Sequence, residues 1–391
     1  MQFPHDPCLW KKCLNNGSYV QIEIVVDDIF GVTDKKNEAW VDGFVGYLEK
    51  SCAPCKHLGQ IKSCLGIELI WGEGNKSVSI SSERKIKQLL LRHDLTDLKP
   101  RKTPLEPGVK LAELMKGELL SSDQKTIYQS IVGSLLYITR ISRVDLLYGT
   151  WFLACGMSAP TDGMWKQAIH ILRYCKGTAG LCITYSRDPV PFKHQLDLSD
   201  FSYVTDLPVA FSDSNYESQY SVSCGIVMYR GAALFWMCRK QQGTVSRSTV
   251  EAELRALSSV GQTVMRTRTL FAWFEEPLLS PTTVFCDNRG AIQNARHPCF
   301  SDKLRHVENA VFYIRELEEN KNVQVEWLNG LLNPPDLGTK AVGTGLHKLF
   351  ASFLMGCDIF PGDTNSARHV RLLAHRYRTY KKENKKKRKR E

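Results

Sequence analysis

Four carboxylates in the second half of the chain stand where chemistry on a phosphodiester would need them. Asp213 closes Pro208-Val-Ala-Phe-Ser-Asp, Asp287 closes Val284-Phe-Cys-Asp, Glu253 falls inside a helical pattern between them, and Asp336 follows Pro334-Pro335. Metal-assisted hydrolysis requires hard oxygen ligands converging from separate elements, because two divalent cations must sit about 3.5–4 Å apart across the scissile phosphate. Two aspartates at the same end of adjacent strands would stand side by side, and a helix crossing them could add a third ligand. Each acid also has a local alternative. Asp213 could be a turn residue, Asp287 an N-cap for a helix from Asn288, and Asp336 a first-turn acid favouring the helix dipole. The combination of four, in this order, is what points to paired-ion chemistry.

The helix offers both Glu251 and Glu253, and residues two apart cannot share a face. Val250, Leu254, Leu257, Val260 and Val264 define an apolar stripe. Glu253 lies about 40° from its centre and Glu251 about 120° away at helical period. Glu253 therefore faces the sheet, and an inward carboxylate needs a cation to justify it. Glu251 shares the polar face with Arg255 and Gln262, and with Ser248 it fits a Ser-x-x-Glu capping box.

The elements that must position these residues can be read from periodicity. Strands are expected at 207–212, 222–228 and 232–237, a helix at 249–265, a strand at 282–286, helices at 288–295 and 303–319, a strand at 322–328 and a short helix from Asp336. This order implies a mixed sheet covered by helices. In the first half, residues 19–33 read as strand, tight turn, strand with Asp27 and Asp28 at the tip. Short strands follow at 58–70 and 77–80 around Gly72-Glu73-Gly74-Asn75. From Ser82 the spacing is helical, and 123–177 holds two or three helical segments broken by Pro160 and Gly163. Residues 186–206, with Pro189 and Pro191, read as a linker.

The 391 residues are 43% hydrophobic and 24% charged, as in folded proteins of more than one domain. No stretch reaches the roughly 18–20 consecutive apolar residues of a membrane span and no signal-peptide run opens the chain, so an intracellular protein, cytoplasmic or nuclear and without a membrane partner, is expected. The 13 cysteines are odd in number and irregularly spaced, which excludes a disulfide framework. Cys52 and Cys55, with His57 and Cys64 nearby, lack the second paired element of a zinc site. Of the net charge of +11, the stretch from Arg368 to Glu391 carries +10, so the body is nearly neutral. That tail, including Lys385, Lys386, Lys387 and Arg388, reads as a solvated extension, a nuclear-import signal or a polyanion-binding arm.

From Asp6 to about Ile359 the chain resembles copia-type retroelement Pol polyproteins. The words that carry the resemblance in the second half are Phe211-Ser-Asp-Ser-Asn, Ser248-Thr-Val-Glu-Ala-Glu-Leu-Arg-Ala-Leu, Cys286-Asp-Asn-Arg-Gly-Ala-Ile, Arg305-His306 followed by Tyr313-Ile-Arg-Glu, and Asp336-Leu-Gly-Thr-Lys340. In the first half, Val25-Val-Asp-Asp28 is similar to the polymerase Tyr-Val-Asp-Asp turn, and Leu58-Gly-Gln-Ile and Cys64-Leu-Gly-Ile-Glu resemble the primer-gripping segment. Tyr128-Gln-Ser-Ile-Val-Gly-Ser-Leu-Leu-Tyr and Leu172-Arg-Tyr-Cys-Lys-Gly-Thr178 resemble the thumb and connection. The chain departs from the family at Val25, Val144, Phe312 and Pro335.

The resemblance implies an α/β chain: a truncated reverse-transcriptase palm at 1–78, a helical thumb and connection at 79–185, the linker at 186–206, an RNase H-like domain at 207–345 and an extension with the basic tail at 346–391. It implies that Asp213, Glu253, Asp287 and Asp336 hold two Mg2+ ions, with Mn2+ as an alternative, and cleave the RNA strand of an RNA–DNA hybrid. Arg239 and Lys240 would lie on the nucleic-acid track, or else be solvated turn charges. Asp27 and Asp28 would be vestigial polymerase ligands, with polymerisation lost by truncation unless another Pol chain supplies the missing strands. A non-enzymatic retroelement relic is the rival expectation.

Overall fold

The computed structural model describes residues 1–4, 6–51, 56–188, 207–216, 221–241, 246–296 and 307–357. The chain divides into two compact units, Met1–Cys64 and the remainder from Leu65. Most of the expected linker, Arg305-His306 and the basic tail lie outside the described residues.

The first unit is an antiparallel sheet in the order β1 (Gln2–Phe3), β2 (Asp6–Cys13), β3 (Tyr19–Val25), β4 (Asp28–Thr33), followed by α1 (Glu38–Ser51) and a short strand β5 (Ser63–Cys64). The expected hairpin is present: Val25 pairs with Asp28, leaving Val26 and Asp27 as a two-residue loop. Two departures have local causes. Residues 58–62 form no strand, and α1 was not foreseen: Gly43 and Gly46 interrupt it, although Trp40, Val41, Phe44, Val45 and Leu48 do recur at helical spacing.

The second unit opens with an antiparallel sheet of β6 (Ile67–Trp71), β7 (Ser77–Ser81) and β8 (Cys182–Ser186). Between β7 and β8 come α2 (Glu83–Arg92), α3 (Leu111–Leu114), α4 (Ser122–Ile141), α5 (Leu147–Ala154) and α6 (Asp162–Gly177). Ser121 and Gln124 form a full capping box for α4, and Thr161 caps α6. The preceding helix already stops at Ala154, ahead of Pro160, and Gly163 lies in the first turn of α6 and breaks nothing, because that turn has few intrahelical bonds to lose. Tyr128, Ile131, Leu135, Phe152, Met164, Ile171 and Leu172 from α4, α5 and α6 form its core.

The central sheet runs β11-β10-β9-β12-β13, built from β9 (Val209–Asn215), β10 (Val222–Tyr229), β11 (Ala232–Lys240), β12 (Thr282–Cys286) and β13 (Val323–Trp327). The first three strands are antiparallel, whereas β9, β12 and β13 are parallel, so the expected mixed sheet is observed. Its helices are α7 (Thr249–Trp273), α8 (Arg289–Arg296), α9 (Glu308–Glu319), α10 (Asp336–Thr339) and α11 (Thr344–Met355).

The two faces of this sheet follow from strand alternation. Ala210, Val227 and Val284 pack with Leu254, Leu257, Val260 and Val264 of α7. Phe211, Cys224 and Ile226 face the opposite way, toward Leu349, Phe350 and Leu354 of α11. Helix α7 continues eight residues beyond the expected end at 265, since Phe271 and Trp273 stay buried. Helix α11 runs across residue 345, and its buried residues belong to the same core as the sheet.

A buried polar network links the helical region to α11. Arg143 grips Asp145 through Nε and Nη2, both at 2.8 Å, and donates to the carbonyl and hydroxyl of Thr178. Tyr174 donates its hydroxyl to Asp145 at 2.8 Å, and His347 of α11 lies 3.3 Å from the Asp145 carbonyl. Burial alone would push the Asp145 carboxyl up, but the Arg143 guanidinium holds it below its ordinary range.

Candidate active site

The four acids are delivered to one end of the central sheet. Asp213 is the fifth residue of β9 and only 2% exposed, and Asp287 directly follows β12, the parallel neighbour of β9. Phe211 and Asp213 share a strand face, which turns Asp213 toward α10. Thr339 of α10 donates its hydroxyl to Asp213 Oδ2 at 2.5 Å. Glu253 projects from the first turns of α7, 5% exposed, and its Oε1 accepts from the backbone N–H of Ser214 at 3.3 Å. Asp336 opens α10.

Close approach of backbones makes this convergence possible. A Cβ on Gly338 would collide with Cys224 Sγ of β10, so only glycine lets α10 settle against the sheet. A Cβ on Gly330 would stand 2.8 Å from Asp287 Oδ2, so that glycine leaves the carboxylate its space.

The helical-face reading of α7 is correct for Glu253, and Glu251 has the structural role expected of it, with one difference. Ser248 accepts from the N–H of Glu251 at 3.2 Å, but the Glu251 carboxylate accepts from the N–H of Arg247 rather than of Ser248, and pairs with Arg255 at 3.0 Å. These partners satisfy Glu251 although it is 1% exposed.

The electrostatics of the four are those of acids crowded without enough counter-charge. Burial, then the nearby Asp336, pushes the Asp213 carboxyl up to about 8, against the opposing pull of Lys340 and Thr339. Burial, then Asp213 and Asp287, raises Glu253 well above the usual carboxylate range. Burial, then Asp336, raises Asp287. The tightest ligand grouping among the described residues is Glu253, Cys286 and Asp287, with ligand atoms within 4.8 Å of one another. Asp213 and Asp336 lie outside that triad and join it through electrostatic coupling and through Lys340, whose Nζ is 2.6 Å from Asp336 Oδ1 and 4.0 Å from Asp213 Oδ2.

A divalent cation fits this donor set. The four carboxylates are hard oxygen ligands, three of them driven toward the neutral form by burial and by one another, a repulsion that a 2+ ion relieves. The buried Ser212 Oγ and Asn333 Oδ1 at β9 also have no hydrogen-bond partner among the described residues. Cys286 stays a protonated thiol, since burial and then Glu253 push it up, and its Sγ–H lies 3.9 Å from Glu253 Oε2.

The other expected site residues do not join this cluster. Arg239 and Lys240 end β11, exposed on the outer strand of the sheet, where their pairing with Ser223 and Val222 puts them at the same sheet end as Asp213. Lys240 acts electrostatically on Cys155 at the end of α5. Asp27 and Asp28 are exposed at the tip of the hairpin in the first unit, and among the described residues they belong to no group of three or more potential metal ligands. Lys385, Lys386, Lys387 and Arg388 lie outside the described residues, as do Cys52 and Cys55. Sequence reasoning missed the roles of Thr339 and Lys340. The i,i+4 spacing of Asp336 and Lys340 was the available signal for the second.

No family model matches the chain. It is 26% identical over 347 residues, 86% of its length, to the retrovirus-related Pol polyprotein from transposon TNT 1-94 of Nicotiana tabacum. The chain is thus similar over most of its length to retrovirus-related Pol polyproteins of transposons. The corresponding polyprotein from transposon RE1 of Arabidopsis thaliana is 28% identical over 277 residues, 70% of this chain. The chain spans 24% and 18% of these two relatives. A solved foamy viral protease-reverse transcriptase in complex with double-stranded DNA superposes with a TM-score of 0.39 at 9% identity, over 78% of this chain and 46% of that one, a likeness too loose to argue from.

Proposed function

We propose that this chain hydrolyses the RNA strand of RNA–DNA hybrids in a reaction that depends on Mg2+, with Mn2+ as a substitute. The observation that carries the reading is the convergence of Asp213, Glu253, Asp287 and Asp336, from two strands and two helices, on one end of a mixed sheet. Asp213, Glu253 and Asp287 would hold one ion and Asp336 would complete the second position. Divalent ions, when bound, lower the pKa of the attacking water and offset charge on the phosphate.

The chain's own residues do the positioning. Ser214 N–H fixes the Glu253 carboxylate, Thr339 fixes Asp213, and the absence of a Cβ on Gly330 leaves the Asp287 carboxylate its space. Burial of Asp213 and Glu253 excludes water from all but the open side of the cluster, where electrostatic interactions are correspondingly strong. Discrimination of RNA from DNA rests on the 2′-hydroxyl, which a protein reads across the shallow minor groove of the hybrid.

The test is a strand-labelled hybrid incubated with the purified full chain and Mg2+, beside Asp287→Asn and an all-DNA duplex. Cleavage of the RNA strand by the unaltered chain, at least about a hundredfold faster than by the variant, is the expected result. RNA left equally intact by both would refute the nuclease and leave the non-enzymatic reading.

A further inference from the structure

Lys340 is the C-cap of α10, with an extended backbone and its N–H bonded to the Asp336 carbonyl at 3.0 Å. Its ammonium lies 2.6 Å from Asp336 Oδ1 and 4.0 Å from Asp213 Oδ2, between two carboxylates that come from elements more than a hundred residues apart. Asp213 is 2% exposed and its Oδ2 already accepts from Thr339, whereas the Lys340 side chain is 46% exposed. The Asp213 carboxylate is thus held and the ammonium can move, on a four-carbon stem that can turn toward solvent.

An ammonium and a 2+ ion cannot share the same carboxylate oxygens, because their repulsion at such separations is strong in a water-poor site. We propose that Lys340 is a built-in competing cation for the position between Asp213 and Asp336, so that divalent metal enters only as the ammonium swings outward, and metal affinity is set lower than the four acids alone would give. The inference rests on the metal-dependent reading above. It makes Lys340 a positioning residue that tunes loading of one of two ions. The same ammonium also offsets part of the repulsion among Asp213, Asp336 and Asp287 when it is seated.

Calorimetric titration of the full chain with Mg2+, in alkaline buffer where protons compete least, compares the unaltered protein with Lys340→Gln and Lys340→Arg. Lys340→Gln should bind Mg2+ more tightly, by on the order of tenfold, and Lys340→Arg should match the unaltered chain. Damage to the fold would weaken binding, so a gain in affinity cannot come from misfolding. Equal or weaker binding by Lys340→Gln overturns this proposal and leaves the nuclease reading standing. Absence of Mg2+ binding by every variant and by the unaltered chain overturns both.

Discussion

Asp213→Asn should stabilise the metal-free protein while removing the activity proposed for it. The carboxyl of Asp213 is buried beside Asp336 and Asp287 and is pushed from 3.8 to about 8. A carboxyl whose pKa is raised on folding contributes stability that is complete below its unfolded value and is lost as pH climbs through the folded one. The window here runs from about pH 4 to about pH 8, and at pH 7 the unfavourable contribution is at most ~4 kcal/mol, at about 1.4 kcal/mol for each pH unit between the unfolded pKa and the working pH. Asparagine keeps the shape and can still accept from Thr339 but cannot ionise, and it deprives Lys340 of one partner, so a net gain of roughly 1–3 kcal/mol is expected.

The assay is urea unfolding of the full chain in EDTA, followed by circular dichroism at several pH values between about 5 and 8, and repeated with saturating Mg2+. The unaltered metal-free chain should lose stability as pH rises across this window, and Asp213→Asn should show a shallower dependence. Mg2+ should rescue the unaltered chain far more than the variant, because a ligand that binds only the folded state stabilises it in proportion to occupancy. A variant no more stable than the unaltered chain at about pH 7, with the same pH dependence, would refute the claim that crowded acids strain this site.

Arg143→Met should destabilise the second unit by about 3–5 kcal/mol in urea unfolding, because it leaves Asp145 fully buried with no cation. In the unaltered chain the depressed Asp145 carboxyl contributes stability that is present above its unfolded pKa and lost as pH falls through the folded one, so titration below about pH 4 should weaken the unaltered protein. Gly338→Ala should push α10 off β10, and loss of Mg2+ binding by calorimetry with little change in far-ultraviolet circular dichroism is the expected pattern; unaltered Mg2+ affinity would contradict the close-approach argument.

Local rules made much of the site legible in advance. The turn around Asp27, the strands that carry Asp213 and lead into Asp287, and the inward face of Glu253 all follow from period 2 or period 3.6 applied over a few residues, although β9 runs past Asp213 to Asn215. The same rules failed where glycine obscured the signal. Helix α1 carries Gly43 and Gly46 within its apolar stripe, and Gly163 reads as a breaker although in the first turn of a helix it is tolerated.

What the chain determines by itself is which elements form and which face of each is apolar, because these depend on neighbours within a turn or a strand pair. Tertiary structure alone decides that Thr339 and Lys340 reach Asp213, and that Tyr174 and His347 close on Asp145. Those partners lie tens to hundreds of residues apart, so no local period encodes their meeting. It depends on how closely the packed elements approach, and for α10 on one glycine having no Cβ to hold β10 away.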